Sequence, residues 1–486
     1  MALLFMDGFD HYATADITRK WNAIVGHSGY VYIASGAGRR GGAALQVNNG
    51  SYVWKNFAAV STVIVGFAYK PAALYSSVNT STDIVDFTDG SIVQVSVHPQ
   101  SDGSLKVYRG EDMTLLGSST AGVLTVGNYN YIEAKVTISD TAGAVELRVN
   151  GVAVLTLTGI DTRNAGNATV DGVMFGGSTG VNVNMYFDDL YICDASGAHN
   201  NDFLGDVRVE PFFPSADGTH ADFTASPTQS VLDASYPYWR VMIDTVQLQY
   251  ATTWISEIEM RAAVGGADQC AGGSATQGSG SSVASMFDNN TNTTGYLTAT
   301  PSWVQYQFVS AVSVKELSLR ADASPNGMPA EFRLQASNDG ATFIDIAAFS
   351  TGAWNPNETR SFAVPPATHA NAANAHTTGI QATGRTLIGA AAGSKESFTL
   401  APAGTLPAGE LIVAVQVNNY VKKSDAGGAA VRNLVRSGTA EAVGPTVALS
   451  TSYNYVRSLH ELNPATGEPW LLAEVQAMEA GLEVVS

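Results

Sequence analysis

The run Val145-Glu-Leu-Arg-Val-Asn-Gly-Val-Ala-Val154 constrains this chain more than any other stretch. Apolar and polar side chains alternate on both sides of Asn150-Gly151, and an Asn-Gly pair between alternating runs selects a two-residue hairpin. Period-two alternation puts every second side chain on one face, so such a run half-buries as a strand and not as a helix. Related strand-like runs recur at Glu133–Ile138, Gly172–Phe175, Met185–Ile192, Trp239–Ile243, Trp254–Met260 and Trp303–Phe308. Only 14% of the 486 residues are charged while 48 are glycine, which suits short turns between strands and supplies no Glu/Lys/Leu periodicity for helical bundles. The expected class is all-β, with antiparallel β-sandwiches arranged in several domains. The one helix expected is short, about Trp470–Ala480.

Charge and motif content remove whole classes of function. The formal net charge is −18, and gripping phosphate needs clustered Lys and Arg, so nucleic acid is not an expected partner. No apolar run approaches the roughly 18 residues of a membrane span, so membrane insertion is not expected. Met1–Asp10 has no basic residue before its short apolar run and meets an acid at Asp7, unlike a secretory signal. The chain is therefore expected to be made in the cytoplasm and to reach any outside position by assembly. Cys193 lies in a strand-like run and Cys270 in a glycine-rich loop. Two cysteines cannot build a disulfide framework; free thiols are expected, with a bridge between subunits as the alternative. Gly36-Ala-Gly-Arg-Arg-Gly41 spells G-x-G-x-x-G but leads into strand-like Ala43–Val47, and Gly176-Gly-Ser-Thr-Gly180 spells a nucleophile elbow with a strand behind it. Both motifs need a following helix, so both read as turns. The histidines are scattered, with His369 and His376 in a linker, which gives no zinc pattern.

Before the strand-like Trp303–Phe308, one loop gathers Asp288, Asn289, Asn290, Asn292, Thr293 and Thr294. Closely spaced hard oxygens either make tight Asx turns or hold a hard cation. With strands at Trp239–Ile243, Trp254–Met260, Val312–Leu319 and Glu331–Ala336, and the run Leu334-Gln-Ala-Ser-Asn-Asp-Gly-Ala-Thr-Phe343, residues 236–365 resemble the discoidin or coagulation-factor type C family of galactose-binding-like jelly rolls. In that family the Arg-x-x-Ile and Ser-Glu-Ile-Glu strands usually close the domain, whereas here Arg240–Ile243 and Ser256–Glu259 open it. The resemblance thus implies a circularly permuted module, which close-lying chain ends permit. It also implies structural calcium, with Asp288 as a carboxylate ligand, Asn290 and Thr293 as further oxygens and Glu257 as a distant acid. Ligand contact in the family uses loops at one end of the barrel. By that analogy Tyr296, Trp354 and Trp254 are candidate carbohydrate readers, with Arg320 and Asn326 as polar partners. Glu257 and Glu259 sit two apart on one strand and share a face, so they could act as paired carboxylates, while nearby acids are also how a discoidin-like module completes a calcium site.

The opening Phe5-Met-Asp-Gly-Phe-Asp-His-Tyr12, the Asn-Gly hairpin and the closing Tyr186-Phe-Asp-Asp-Leu-Tyr-Ile-Cys-Asp194 resemble the concanavalin A-like or laminin-G-like sandwich, in the version found at the start of tailed-phage virion proteins. Phe203–Gly218 resembles the start of a second module of those proteins, which resumes at Ser397–Pro402 and Ile412–Gly427 and closes with Asn463–Trp470 and Glu474–Gly481. Pro365-Pro366 and Thr368–Thr378 read as the return linker. The implied organisation is a sandwich at 1–198, a discontinuous sandwich from 199–235 and 366–486, and the inserted jelly roll at 236–365. The implied function is non-enzymatic: a homo-oligomeric structural component on the exterior of a tailed-phage virion, touching other virion proteins and binding bacterial surface glycan through many weak sites. Two other readings stand beside it. One is a decoration or cement protein whose domains only pack; the other is a polysaccharide depolymerase, against which counts the lack of a Glu-x-Asp-x-x-Glu cluster.

Overall fold

Period-two alternation folds as antiparallel strand throughout the chain. The computed structural model describes residues 2–48, 50–74, 83–110, 114–177, 183–226, 228–247, 252–366, 386–389, 391–402 and 411–486. The linker expected at 368–378, with its two histidines, lies outside these residues. The chain divides into two units, Met1–Phe213 with Leu400–Ser486, and Pro214–Thr399.

The first unit opens with a two-sheet sandwich. Its strands are β1 (Leu3–Asp7), β2 (Ala23–Val25), β3 (Val31–Ala34), β4 (Ala44–Val47), β5 (Ser51–Val60), β6 (Thr62–Pro71), β7 (Val85–Asp89), β8 (Ile92–Pro99), β9 (Leu105–Arg109), β10 (Thr114–Ser118), β11 (Asn130–Thr137), β12 (Gly143–Val149), β13 (Val152–Ile160), β14 (Val170–Gly177) and β15 (Met185–Asp194). One sheet runs β13-β12-β11-β6-β15-β4-β3 with β1 on β15, and the other runs β10-β9-β8-β7-β14-β5-β2. The Asn-Gly hairpin forms as expected: Val149 pairs with Val152, and Asn150 and Gly151 take φ of 50° and 79°, the left-handed pair that a type I′ turn requires. Alternate residues of facing strands, such as Val63, Val65 and Phe67 against Val85, Phe87 and Phe175, meet in one core. A second apolar layer forms on the other face of the first sheet. There Ile64, Ala68, Tyr131, Tyr191 and Cys193 are covered by Phe203, Leu204 and Val207 of the following segment, which is why β15 is buried almost throughout. The opening motif is anchored by fully buried Asp7. It accepts hydrogen bonds from Lys20 Nζ at 2.8 Å, the Tyr12 hydroxyl at 2.7 Å, Trp21 Nε1 at 3.0 Å and the Phe9 amide at 3.0 Å.

The second unit contains β16 (Phe212–Ala221), whose first two residues belong to the first unit, then β17 (Thr224–Ser226), β18 (Tyr236–Val246), β19 (Thr253–Arg261), β20 (Ser274–Gln277), β21 (Gly295–Leu297), β22 (Ser302–Val312), β23 (Glu316–Ala321), β24 (Pro329–Ser337), β25 (Ile344–Ser350), β26 (Thr359–Ala363), β27 (Thr386–Ile388) and most of β28 (Lys395–Pro402). A five-stranded sheet, β20-β22-β18-β24-β25, packs on a four-stranded one, β21-β19-β23-β26. The strand that opens the module, β18, is central in its sheet, paired with β22 and β24. Trp239 on β18 is fully buried, and its indole N–H is satisfied by the carbonyls of Val312 at 3.0 Å and Tyr236 at 3.2 Å.

The returning chain adds β29 (Val415–Val421), β30 (Ala430–Ser437), β31 (Ala440–Val443), β32 (Val447–Ala448), β33 (Asn454–His460) and β34 (Glu479–Val484) to the first unit. β29 pairs with β33, and β30 pairs with β31, β32 and β34. Buried Asn433 ties these layers, donating from Nδ2 to the carbonyls of Val417 at 2.9 Å and Val456 at 3.0 Å. The helix expected over Trp470–Ala480 is shorter, Leu472–Ala477. Glu479 and Ala480 instead begin β34, because their backbone groups are used by β30 and pairing outweighs helix propensity.

Candidate functional site

The site lies on the four-stranded sheet of the second unit. β19 and β21 pair with Trp254 opposite Tyr296, and their rings stack at 4.9 Å between centroids with planes 29° apart. Trp254 is 40% exposed, so the half-buried Tyr296 ring backs an aromatic face that looks to solvent. Just beyond, the register of β19 against β23 shifts between Ile255 and Glu257. This bulge changes the phase of the alternation. Ile255 and Ile258 both enter the core, so Glu257 leaves on the same face as Trp254. Glu257 stands opposite Arg320.

The oxygen-rich loop covers this face. Gly295 lets it close, since a Cβ there would come within 2.6 Å of both the Ser282 carbonyl and Met286 Cε. Ser256 Oγ lies 3.2 Å from Thr294 Oγ1 across the same gap. Within the loop, Asp288 Oδ1 accepts the Asn290 amide at 2.9 Å, and the Thr293 hydroxyl lies 2.8 Å from Asp288 Oδ2 and 2.7 Å from the Asn290 carbonyl. Asp288, Asn290 and Thr293 are thus one turn. Glu257 is 4% exposed, and neither of its carboxylate oxygens has a hydrogen-bond partner. Burial first, and then the charge of Asp288, push its carboxyl up to about 7. A buried carboxylate facing a second acid, with only the Ile258 amide near enough to favour its charge, is electrostatically incomplete, and a hard cation would complete it. The donors are all oxygens, which suits calcium. Among the described residues no group of three or more His, Cys, Asp or Glu could hold a metal.

Arg320 reaches Thr359 on β26, donating from Nη1 to Oγ1 at 3.0 Å, while its buried Nε–H has no acceptor. The turn Pro325–Gly327, which holds Asn326, approaches the beginning of β19 so closely that a Cβ on Gly327 would meet the Thr252 carbonyl at 2.1 Å. Asn326 is therefore at the Trp254 end of the sheet, though its side chain lies outside the described residues. Trp354 is corrected: it is 6% exposed and part of the core, with Nε1 donating to the Pro329 carbonyl at 3.0 Å and Arg360 lying over its ring. It has no face to offer a ligand. Glu259 is bound to Arg261 and is no free partner for Glu257.

A second aromatic surface escaped the sequence reading. On the outer face of β18 and β22, Arg240 lies between Trp303 and Phe343, with Cζ 4.3 Å and 3.6 Å from the ring centroids. Its signal was present, since Arg240 alternates with buried Trp239 and Val241. Cys193 and Cys270 are free thiols and buried.

No family model matches the chain, and no curated protein matches it. Among solved structures it is similar to alginate lyase Aly36B, at 12% identity and a TM-score of 0.30 over 40% of this chain and 98% of that one. It is also similar to domain 4 of AbnA, a GH43 extracellular arabinanase from Geobacillus stearothermophilus solved with arabinotriose, at 15% identity and a TM-score of 0.26 over 40% and 94%. A third is a protein of unknown function with a galectin-like fold from Bacillus subtilis, at 12% identity and a TM-score of 0.27 over 40% and 96%.

Proposed function

We propose that this chain is a glycan-binding structural protein of a tailed-phage particle, displayed on the exterior as a homo-oligomer, whose permuted discoidin-like module carries the sugar contact. The observation that carries the binding reading is the half-exposed Trp254 ring backed by Tyr296. An aromatic face of this kind accepts the apolar C–H face of a pyranose, and the Arg320 guanidinium beside it has N–H groups for a hydroxyl or carboxylate. Such a contact is weak alone, so copy number supplies the grip. The pairing of β1 with β15 supports reading the opening and closing motifs as the bracket of one sandwich, the attachment module in this proposal. Glu257 and Asp288 would hold calcium with oxygens of Asn290 and Thr293, and the ion would stiffen the loop beneath the aromatic pair.

The test is binding of the full chain to an array of bacterial surface glycans, in calcium and in chelator. The expected result is selective binding that Trp254→Ala or Tyr296→Ala weakens in protein that still melts cooperatively. A flat array from folded, multivalent protein would overturn the adhesive reading in favour of a packing role. Shortened polymer with new ends would overturn the non-enzymatic one.

A further inference from the structure

A different site lies in the first unit, where β33 passes β1. A cavity of about 750 Å³ is lined there by Leu4, Gln416, Pro445, Arg457, Ser458 and His460, among others. Its volume falls in the usual range for small-molecule sites, roughly 300–1,000 Å³. Arg457 is the unusual member. Its Cζ lies 5.0 Å from the Phe5 ring centroid, and among the described residues the guanidinium makes neither an ion pair nor a hydrogen bond. A guanidinium carries five N–H donors, and one set into a protein normally spends them on acceptors.

The neighbours explain why no internal partner answers it. Lys55 Nζ, which donates to the Lys20 carbonyl at 2.7 Å, lies 4.6 Å from the same ring and Lys20 Nζ 5.7 Å, so three basic side chains surround Phe5. The carboxylate within this group is Asp7, whose oxygens already hold Lys20, Tyr12, Trp21 and the Phe9 amide. Glu461 also lines the cavity, but its Oε1 accepts the amides of Ala2 at 3.1 Å and Leu3 at 2.9 Å and the Asn200 side chain at 3.3 Å. Burial, and then the charges of Arg457 and Lys20, push the Lys55 ammonium down to about 6. Lys55 is thereby neutral near pH 7 and Lys20 is answered by Asp7, so the charge of Arg457 is the one left without a bonded acid among the described residues. His460, bonded to Ser458 at 2.8 Å and pushed by burial down to about 4, is a neutral hydrogen-bonding group here.

We propose that this cavity binds a small carboxylate-bearing ligand, an acidic monosaccharide of the uronate type, with its carboxylate on Arg457 and its ring against Leu4 and Pro445. The chemistry is that of a planar fork meeting a planar anion. This site is independent of the aromatic pair in the second unit.

Isothermal titration of the full chain with D-glucuronate, its neutral twin D-glucose, and inorganic phosphate tests this. Glucuronate is expected to bind and glucose is not, and Arg457→Gln should lower glucuronate affinity roughly ten- to hundredfold. Because Arg457→Gln disturbs the packing on Phe5, its fold is checked by melting temperature, and Arg457→Lys, which keeps the charge without the fork, is run beside it. Intermediate affinity in the lysine variant supports the bidentate arrangement. Phosphate that binds as well as glucuronate and competes with it supports the anion site but assigns it to free phosphate. Equal binding of glucose, no glucuronate binding to the wild type, or unchanged affinity in folded Arg457→Gln overturns the proposal.

Discussion

Glu257→Gln isolates the electrostatics of the oxygen-rich loop. Holding a carboxyl at about 7 in place of 4.5 penalises its ionised form in the folded state by about 3 kcal/mol, at roughly 1.4 kcal/mol per pH unit. The exposed loop residues beside it screen part of that field, leaving about 1–3 kcal/mol. The sign follows from proton linkage. Between pH 4.5 and 7 the folded state keeps a proton that the unfolded state has released, so this group lowers stability as pH rises and exerts its full effect above 7. In chelator at pH 8, the glutamine variant should therefore be the more stable, raising the melting transition of the second unit by about 2–4 °C per kcal/mol; near pH 4 the two proteins should melt together. Millimolar calcium should reverse the order at pH 8, because the ion binds the ionised glutamate and stabilises the folded state by mass action. Calorimetry of the full chain at the two pH values, with and without calcium, decides it. A glutamine variant that melts lower in chelator at pH 8, or calcium stabilisation equal in both proteins, would refute the argument.

Three other outcomes are expected. Trp354→Ala should cost about 3–5 kcal/mol in denaturant unfolding, as a large buried side chain, while Trp254→Ala costs under about 1.5 kcal/mol because that ring is half in water; equal costs would contradict the burial assigned to the two rings. Asp7→Asn should destabilise the first unit by about 3–5 kcal/mol by leaving buried Lys20 without its counter-charge, measurable as a lower midpoint in urea. Burial pushes both the Cys193 and Cys270 thiols up, so a thiol-reactive disulfide should label neither until the chain unfolds, and prompt labelling of the native protein would count against the packing around them.

Local chemistry was the legible part. The Asn150-Gly151 hairpin follows from two residues whose backbone preferences are strong, and the buried strands follow from alternation. Exposure was not legible for single aromatic residues. Trp254 lies on a strand and Trp354 in the irregular segment after β25, and the docking of Pro329, Phe362 and Arg360 onto Trp354 is what buries it. The Glu257 site needed the bulge after Ile255, which period-two counting cannot foresee; oxygen spacing marked the loop beside it, while the roles of its residues came only from the discoidin resemblance. The end of the last helix was misplaced because β30, far back in the sequence, claims Glu479 and Ala480. The unpartnered guanidinium of Arg457 leaves no local trace at all, since what marks it is the set of basic side chains brought around Phe5 by the fold.

The second unit is spliced into the first between Phe213 and Leu400, and the first unit ties its two segments together, with the amides of Ala2 and Leu3 bonded to Glu461. Tension applied across the two segments of the first unit runs through that unit and bypasses the spliced one for as long as the first stays folded. The strands that carry Trp254 and Tyr296 are thereby sheltered from that load, and stretching must release the chain in a fixed order, the outer unit first and the inner one after it.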